Sequence, residues 1–138
     1  PEIGDDSRKF GPFVKDYSAY FMSLNRGKES IALNLKNEDD KKIFEKILAK
    51  ADILVENFKP GTLQKWGYGL KDVSKKYPKL IYASASGFGQ TGPLRELPAY
   101  DMVVQGMGGL MSVTGQPNSE PTRVGTRYYS WIIYSYRN

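Results

Sequence analysis

The sequence contains no cysteine and no histidine in 138 residues. The first absence removes disulfides and thiolate chemistry and leaves the redox compartment unreadable. The second removes histidine general bases, histidine metal sites and any Ser-His-Asp triad, and no metal is expected. Acid–base or nucleophilic work therefore falls to Asp, Glu, Lys or Tyr. No apolar run approaches the ~20 residues of a membrane span, so no membrane partner is expected. Pro1-Glu-Ile-Gly-Asp-Asp6 lacks the basic start and apolar centre of a signal peptide. Without an initiator methionine, the chain reads as a piece cut from something longer or as a processed form.

What is present is ordinary for a folded domain: 40% hydrophobic, 25% charged and 13% aromatic residues, with ten tyrosines. The length suits one domain with a real core. The net charge is +5. Either a solvated basic surface or an anionic ligand accounts for it. The lysines are spread through helix-like segments, and no nucleic-acid signature accompanies them. A small anion is therefore favoured and no nucleic acid is expected.

Residues 1–19 are polar, punctuated by Gly and Pro, and read as an extended loop. A short helix or turn is expected over 20–24. The alternation of Ile31, Leu33 and Leu35 predicts a strand over 30–35. Asn37 is an N-cap candidate, followed by Glu38, Asp39 and Asp40, whose charge complements a helix dipole. Ile43, Phe44, Ile47, Leu48 and Ala51 follow at helical spacing. Residues 52–55 predict a buried parallel strand. Pro60 opens a helix to about Trp66, and residues 70–77 form another, closed by Pro78. Residues 80–86 predict the third strand. Gly87, Gly89, Gly92 and Pro93 form a loop, and a helix follows over 99–113, with Met102, Val103, Met107, Leu110 and Met111 expected in the core. The order implies α/β architecture with a parallel sheet and flanking helices. Ligands in such sheets sit at the carboxyl ends of the strands. Glu56-Asn-Phe-Lys59 and Ser86-Gly-Phe-Gly-Gln90 should therefore share one rim. Neither is a GxGxxG fingerprint or a Walker loop.

Five segments carry a further pattern: Gly4-Asp-Asp-Ser-Arg8; Tyr20 to Lys36; Ala51-Asp-Ile-Leu-Val-Glu-Asn-Phe-Lys-Pro-Gly61; Leu80 to Pro93; and Pro98 to Gly115. In this order they resemble the class III CoA-transferase family over residues 1 to about 125. The resemblance implies a Rossmann-like domain, incomplete here, with CoA laid along it as the acyl-CoA substrate. By position, Leu33, Asn34, Leu35 and Lys36 would follow the nucleotide end. Asn57, Phe58 and Lys59 would contact the CoA chain, and Lys65 would stand near phosphate. Pro98, Ala99, Tyr100 and Asp101 would flank the pantetheine and thioester, and Tyr20 would be an aromatic of the substrate pocket. Alternatives stay open. Asn57 could cap a turn, Lys59 and Lys65 could be plain surface lysines, Tyr100 could be a core aromatic, and Asp101 could be the N-cap of its helix. The resemblance also implies a carboxylic acid as second substrate and an interlocked homodimer. The compartment is left open, with the cytoplasm or mitochondrial matrix expected because no targeting segment is visible.

The family places a nucleophilic aspartate a few residues after an Arg-Val-Gly element. Arg123-Val-Gly125 is present, but no Asp or Glu follows Glu120, and the expected position near Tyr128–Ser130 is Tyr-Tyr-Ser. No catalytic residue is therefore assigned. Two alternatives to a transferase remain. One is a non-catalytic CoA-binding or dimerisation module. The other is an α-methylacyl-CoA racemase relative, which would use histidine where Tyr100 stands. Residues 126–138 form an aromatic tail unlike the family's small-residue helix. Codons for Arg127-Tyr-Tyr-Ser-Trp131 allow Asp-Ile-Ile-Ala-Gly in the +1 frame, close to the family pattern. A change of reading frame after about Gly125 is one explanation, beside a splice isoform or a truncation. Sequencing the source transcript should reveal the shifted frame; a gene coding this tail in frame with the upstream sequence overturns that explanation.

Overall fold

The computed structural model describes residues 4–125 and the backbone of 132–136. The chain divides between Leu33 and Asn34 into two units.

The first unit is organised around a buried serine. Asp5 accepts a bond from the Ser7 amide at 2.8 Å and starts a 3-10 turn over Asp6–Lys9. Strands β1 (Phe13–Val14) and β2 (Tyr17–Ser18) pair antiparallel across Lys15 and Asp16, both at positive φ. Two such residues make the turn whose twist matches a tight hairpin. Ser18 then caps α1 (Ala19–Asn25), accepting from the Phe21 amide at 3.0 Å. Its hydroxyl donates to the carbonyls of Ser7 and Phe10. The Arg8 guanidinium lies 3.9 Å over the Phe21 ring. Within the extended loop expected over 1–19, the described residues 4–19 form a turn and a hairpin, while the helix expected at 20–24 lies inside α1.

The stretch across the Leu33–Asn34 boundary departs from the sequence expectation. Residues 30–35 form no strand. The Asn34 amide donates to Asp40 at 2.8 Å, and the Asn34 side chain accepts from the Lys36 amide at 3.1 Å. These bonds close a turn in place of a sheet ladder. Leu35 packs against the hydrophobic core, whereas Ile31 is exposed. Asn37 caps α2 (Glu38–Leu48), accepting from the Asp39 amide at 2.8 Å. Strand β3 (Ile53–Glu56) follows, then α3 (Thr62–Lys65), α4 (Leu70–Lys76) and β4 (Ile81–Ser86). Gly61, at φ 80°, precedes α3, so the helix starts just beyond Pro60.

Strands β3 and β4 are parallel, with Ile53 opposite Ile81 and Glu56 opposite Ser84. The backbone of β5 (Ile132–Tyr136) pairs antiparallel with β4, giving the order β3-β4-β5. The fold is therefore mixed α/β with a small parallel pair and flanking helices. One face is covered by Leu48, Leu63, Tyr68, Val73, Leu80 and Tyr82. Phe44 meets Tyr68 edge-to-face at 4.9 Å. Each fully buried aliphatic contributes about 1.5–3 kcal/mol. Strand β3, expected to be buried on both faces, turns Ile53 and Val55 outward at 54% and 70% exposure. It is an edge strand among the described residues, covered on one side only.

The long helix expected over 99–113 is shorter. Strand β4 leads through the glycine loop to α5 (Asp101–Met107), which stops at Gly108, and Gly109 at φ 76° turns the chain into a 3-10 turn over Leu110–Ser112. A left-handed glycine is a common helix terminator. The core assignment for this segment is also corrected. Met102, Val103 and Met107 are exposed, and Leu110 and Met111 are half-buried.

Tyr82 sits under the sheet's covered face, and its phenol is pushed up to about 12, first by burial and then by the nearby Glu56 charge. Between pH 10 and 12 the folded protein keeps a proton that the unfolded chain releases. Stability from this group is therefore fully present below about pH 10 and lost as pH rises through 12. Urea melts across that interval should show falling stability, with a shallower fall in Tyr82→Phe. Equal slopes in the two proteins would contradict this.

Candidate functional site

Where β3 and β4 end side by side, their last residues hold two loops together. The Asn57 side-chain amide donates to the Ala85 carbonyl at 2.8 Å. Glu56, buried at the end of β3, accepts from the Phe58 amide at 2.7 Å through Oε2 and from the Ser84 hydroxyl through Oε1. Ser84 Oγ in turn accepts from Gln90 Nε2 at 2.7 Å, and the same nitrogen reaches Ser86 Oγ at 3.2 Å. The 56–59 and 86–90 segments do share one rim.

A groove of about 390 Å³ opens between these loops and the segment entering α5. Asn57, Phe58, Lys59, Pro98 and Ala99 line it, with Ser86, Gly87, Arg95 and Glu96. Five of the candidate contacts read from the sequence are thereby brought together. Phe58 is held by Trp66, its ring 5.5 Å away edge-on. Asn57 does not cap α3, whose cap position is Gly61. A second hollow of about 440 Å³ lies beside the groove under Tyr82, Ser84 and Gln90, sharing Pro60, Arg95 and Glu96 with it.

The remaining candidates are distributed differently. Lys36 and Lys65 are exposed, as is Lys59 at the groove. The helix-face lysines are engaged: Lys41 pairs with Glu38 at 2.6 Å, Lys42 with Asp39 at 2.8 Å and Lys76 with Glu45 at 2.7 Å. Asn34 and Leu35 serve the turn and the core and do not line the groove. Tyr20 and Leu33 belong to the first unit, where the Tyr20 ring lies 5.8 Å from Phe10. Tyr100 is 74% exposed, which sets aside a core role. It occupies the cap position of α5, so Asp101 is one residue inside the helix and is not its N-cap. The Tyr128–Ser130 position lies outside the described residues.

Asp101 carries a feature that the sequence alone does not reveal. Its Oδ2 accepts from Gln105 Nε2 at 2.8 Å, while Oδ1 is buried without a described partner. Gln105, 2% exposed, also accepts from the Val124 amide at 3.0 Å. This side chain ties α5 to the Arg123-Val124-Gly125 element. Arg95, at the lip of the groove, also escaped the sequence reading. It is a lone cation in a loop, and its pairing with neighbouring Glu96 at 3.2 Å masks it in any charge pattern. Glu56 was visible only as part of a rim segment.

Residues 1–133 match the model of CoA-transferase family III. The chain is 56% identical over 125 residues to acetyl-CoA:oxalate CoA-transferase of Acetobacter aceti, covering 91% of this chain and 32% of that protein. It is 44% identical over 126 residues to succinyl-CoA:glutarate CoA-transferase of Homo sapiens, covering 91% and 29%. The crystal structure of a CAIB/BAIF family protein from Brucella suis superposes with a TM-score of 0.81 at 42% identity, covering 91% and 34%. The chain spans about a third of the length of these relatives.

Gly87 forms the floor of the groove. A Cβ at this position would lie 1.8 Å from the Ala99 Cβ. Gly87→Ala must push the 97–100 segment away, with an overpacking cost of about 1–3 kcal/mol. Chemical denaturation should register that loss. A Gly87→Ala protein as stable as the wild type would contradict the close approach.

Proposed function

The chain belongs to CoA-transferase family III, and on that premise we propose that its second unit carries a CoA-gripping surface of an enzyme that moves CoA from an acyl-CoA to a carboxylic acid. The observation that carries this reading is the convergence of Asn57, Phe58, Lys59, Pro98 and Ala99 on one groove. Coenzyme A is a polyanion with a long, amide-bearing arm. Exposed Lys59 and Lys65 supply unspent charge for phosphates, with Arg95 at the groove lip. Pro98, Ala99 and the edge of Phe58 offer an apolar wall to the pantetheine. The proposed CoA-binding domain is 1–125 with an aberrant tail over 126–138, although the family match runs on to residue 133. The acid partner is read as a small dicarboxylate, because oxalate and glutarate appear in the names of the relatives. Association as an interlocked homodimer belongs to the same proposal.

The chemistry proposed for the whole enzyme is covalent catalysis by an aspartate. Its carboxylate attacks the acyl-CoA thioester carbonyl, expelling CoA thiolate and leaving a mixed anhydride. The thiolate attacks the aspartyl carbonyl of that anhydride, releasing the first acid and forming an aspartyl-CoA thioester. The acceptor carboxylate then attacks this thioester, expelling the thiolate and forming a second mixed anhydride; the thiolate attacks the acceptor carbonyl of that anhydride, giving the acceptor's CoA thioester and freeing the aspartate carboxylate. The aspartate would stand shortly after Arg123-Val124-Gly125, where this sequence has no acid beyond Glu120. The chain as given therefore binds without turning over. A racemase relative is disfavoured, because the sequence contains no histidine to pair with an aspartate.

Calorimetric titration with CoA should show binding that Lys59→Glu weakens and added salt reduces. Incubation with acyl-CoA should leave the mass of the chain unchanged. No heat of binding up to about millimolar CoA removes the CoA reading. A trapped aspartyl thioester removes the assignment of inactivity.

A further inference from the structure

Glu56 is only 8% exposed, and no step of the proposed transfer uses it. Burying a carboxylate is unfavourable unless its oxygens are satisfied. Here both are engaged, Oε2 by the Phe58 amide at 2.7 Å and Oε1 by the Ser84 hydroxyl. Hydrogen bonds to an ionised acceptor are about twice as strong as neutral ones. The two bonds run in different directions. One enters the segment whose Asn57, Phe58 and Lys59 line the groove. The other passes through Ser84 to Gln90, in the loop that begins at Gly87 against Ala99. Through Phe58 on one side and Ser84, Gln90 and Ser86 on the other, a single side chain thus ties both walls of the groove while itself lining the adjoining hollow.

We infer that Glu56 is the positioning residue of the groove: its carboxylate orients the Phe58 backbone, and so the CoA contacts on either side of it, while the Ser84–Gln90 arm sets the opposing glycine loop. The identity of the ligand rests on the proposed function; the positioning does not.

The test is amide-resolved NMR with CoA titration on the 138-residue chain, for the wild type, Glu56→Leu, Glu56→Gln and Ser84→Ala. Glu56→Leu should move the Phe58 amide resonance and weaken CoA binding about tenfold or more, the loss expected for a bond to a charged group. Glu56→Gln keeps one acceptor oxygen and should recover most of that affinity, with the Phe58 amide near its wild-type position. Ser84→Ala should leave the Phe58 amide in place, shift the Gln90 and Gly87 resonances, and weaken CoA to an intermediate degree. A Glu56→Leu chain with wild-type affinity overturns the proposal, as does a loss that Glu56→Gln does not recover. If Glu56→Leu does not fold, Ser84→Ala decides, and an unchanged Gln90 resonance and affinity overturn it. If the wild-type chain binds no CoA, the ligand reading falls alone. The Phe58 amide in Glu56→Leu then decides the positioning, an unmoved resonance sinking it.

Discussion

The second unit depends on how two parallel strands end. Beyond the last ladder bond, backbone groups still need partners, and leaving them buried and unpaired is costly. The parallel register sets Glu56 opposite Ser84. An acid and a hydroxyl therefore meet at the point where the ladder runs out. Asn57, next along, reaches the carbonyl of Ala85 on the neighbouring strand. These side chains extend the pairing of β3 and β4 past the sheet and into the loops. The groove exists because the loops are tied in this way.

The rest of the groove is a matter of size and charge. Its floor requires a residue without a side chain at Gly87, because Ala99 occupies the space. Its wall uses Phe58, set edge-on against Trp66. Its cation Lys59 remains exposed, whereas Lys41, Lys42 and Lys76 are neutralised by acids on the helices. Exposed pairs of that kind contribute little to stability, because solvent screens them. Their larger effect is on the field, since they leave the net positive charge to the unpaired residues.

The apolar surface has an equally physical reading. Ile53 and Val55 on β3 and Met102, Val103 and Met107 on α5 are exposed. Asp101 keeps a buried oxygen with no partner among the described residues. These features occur in a chain that spans about a third of its relatives' length. Helical spacing marks α5 as amphipathic, but it does not say whether anything lies against the apolar side.

Much of the second unit is legible in the residues themselves. Asn37 and its acids announce α2, Pro78 closes α4, and apolar runs mark β3 and β4, because caps, ring constraints and side-chain period act over a few residues. The shared rim was also legible, since strand–loop order alone places it. What failed has a common cause. The 30–35 alternation matches a strand, yet Asn34 bonds to Asp40 and closes a turn, a choice between two local partners. The 99–113 pattern matches one helix, yet Gly109 ends it. The local residues determined where helices and strands start, which loops meet, and which family the chain resembles. Only the tertiary structure decided that Glu56 is buried between two walls, that Gln105 joins Asp101 to Val124, and that Arg95 stands at the groove. Ser84 and Glu56 lie 28 positions apart and Val124 and Gln105 lie 19 apart, and no local pattern of charge or hydropathy encodes a distance across space.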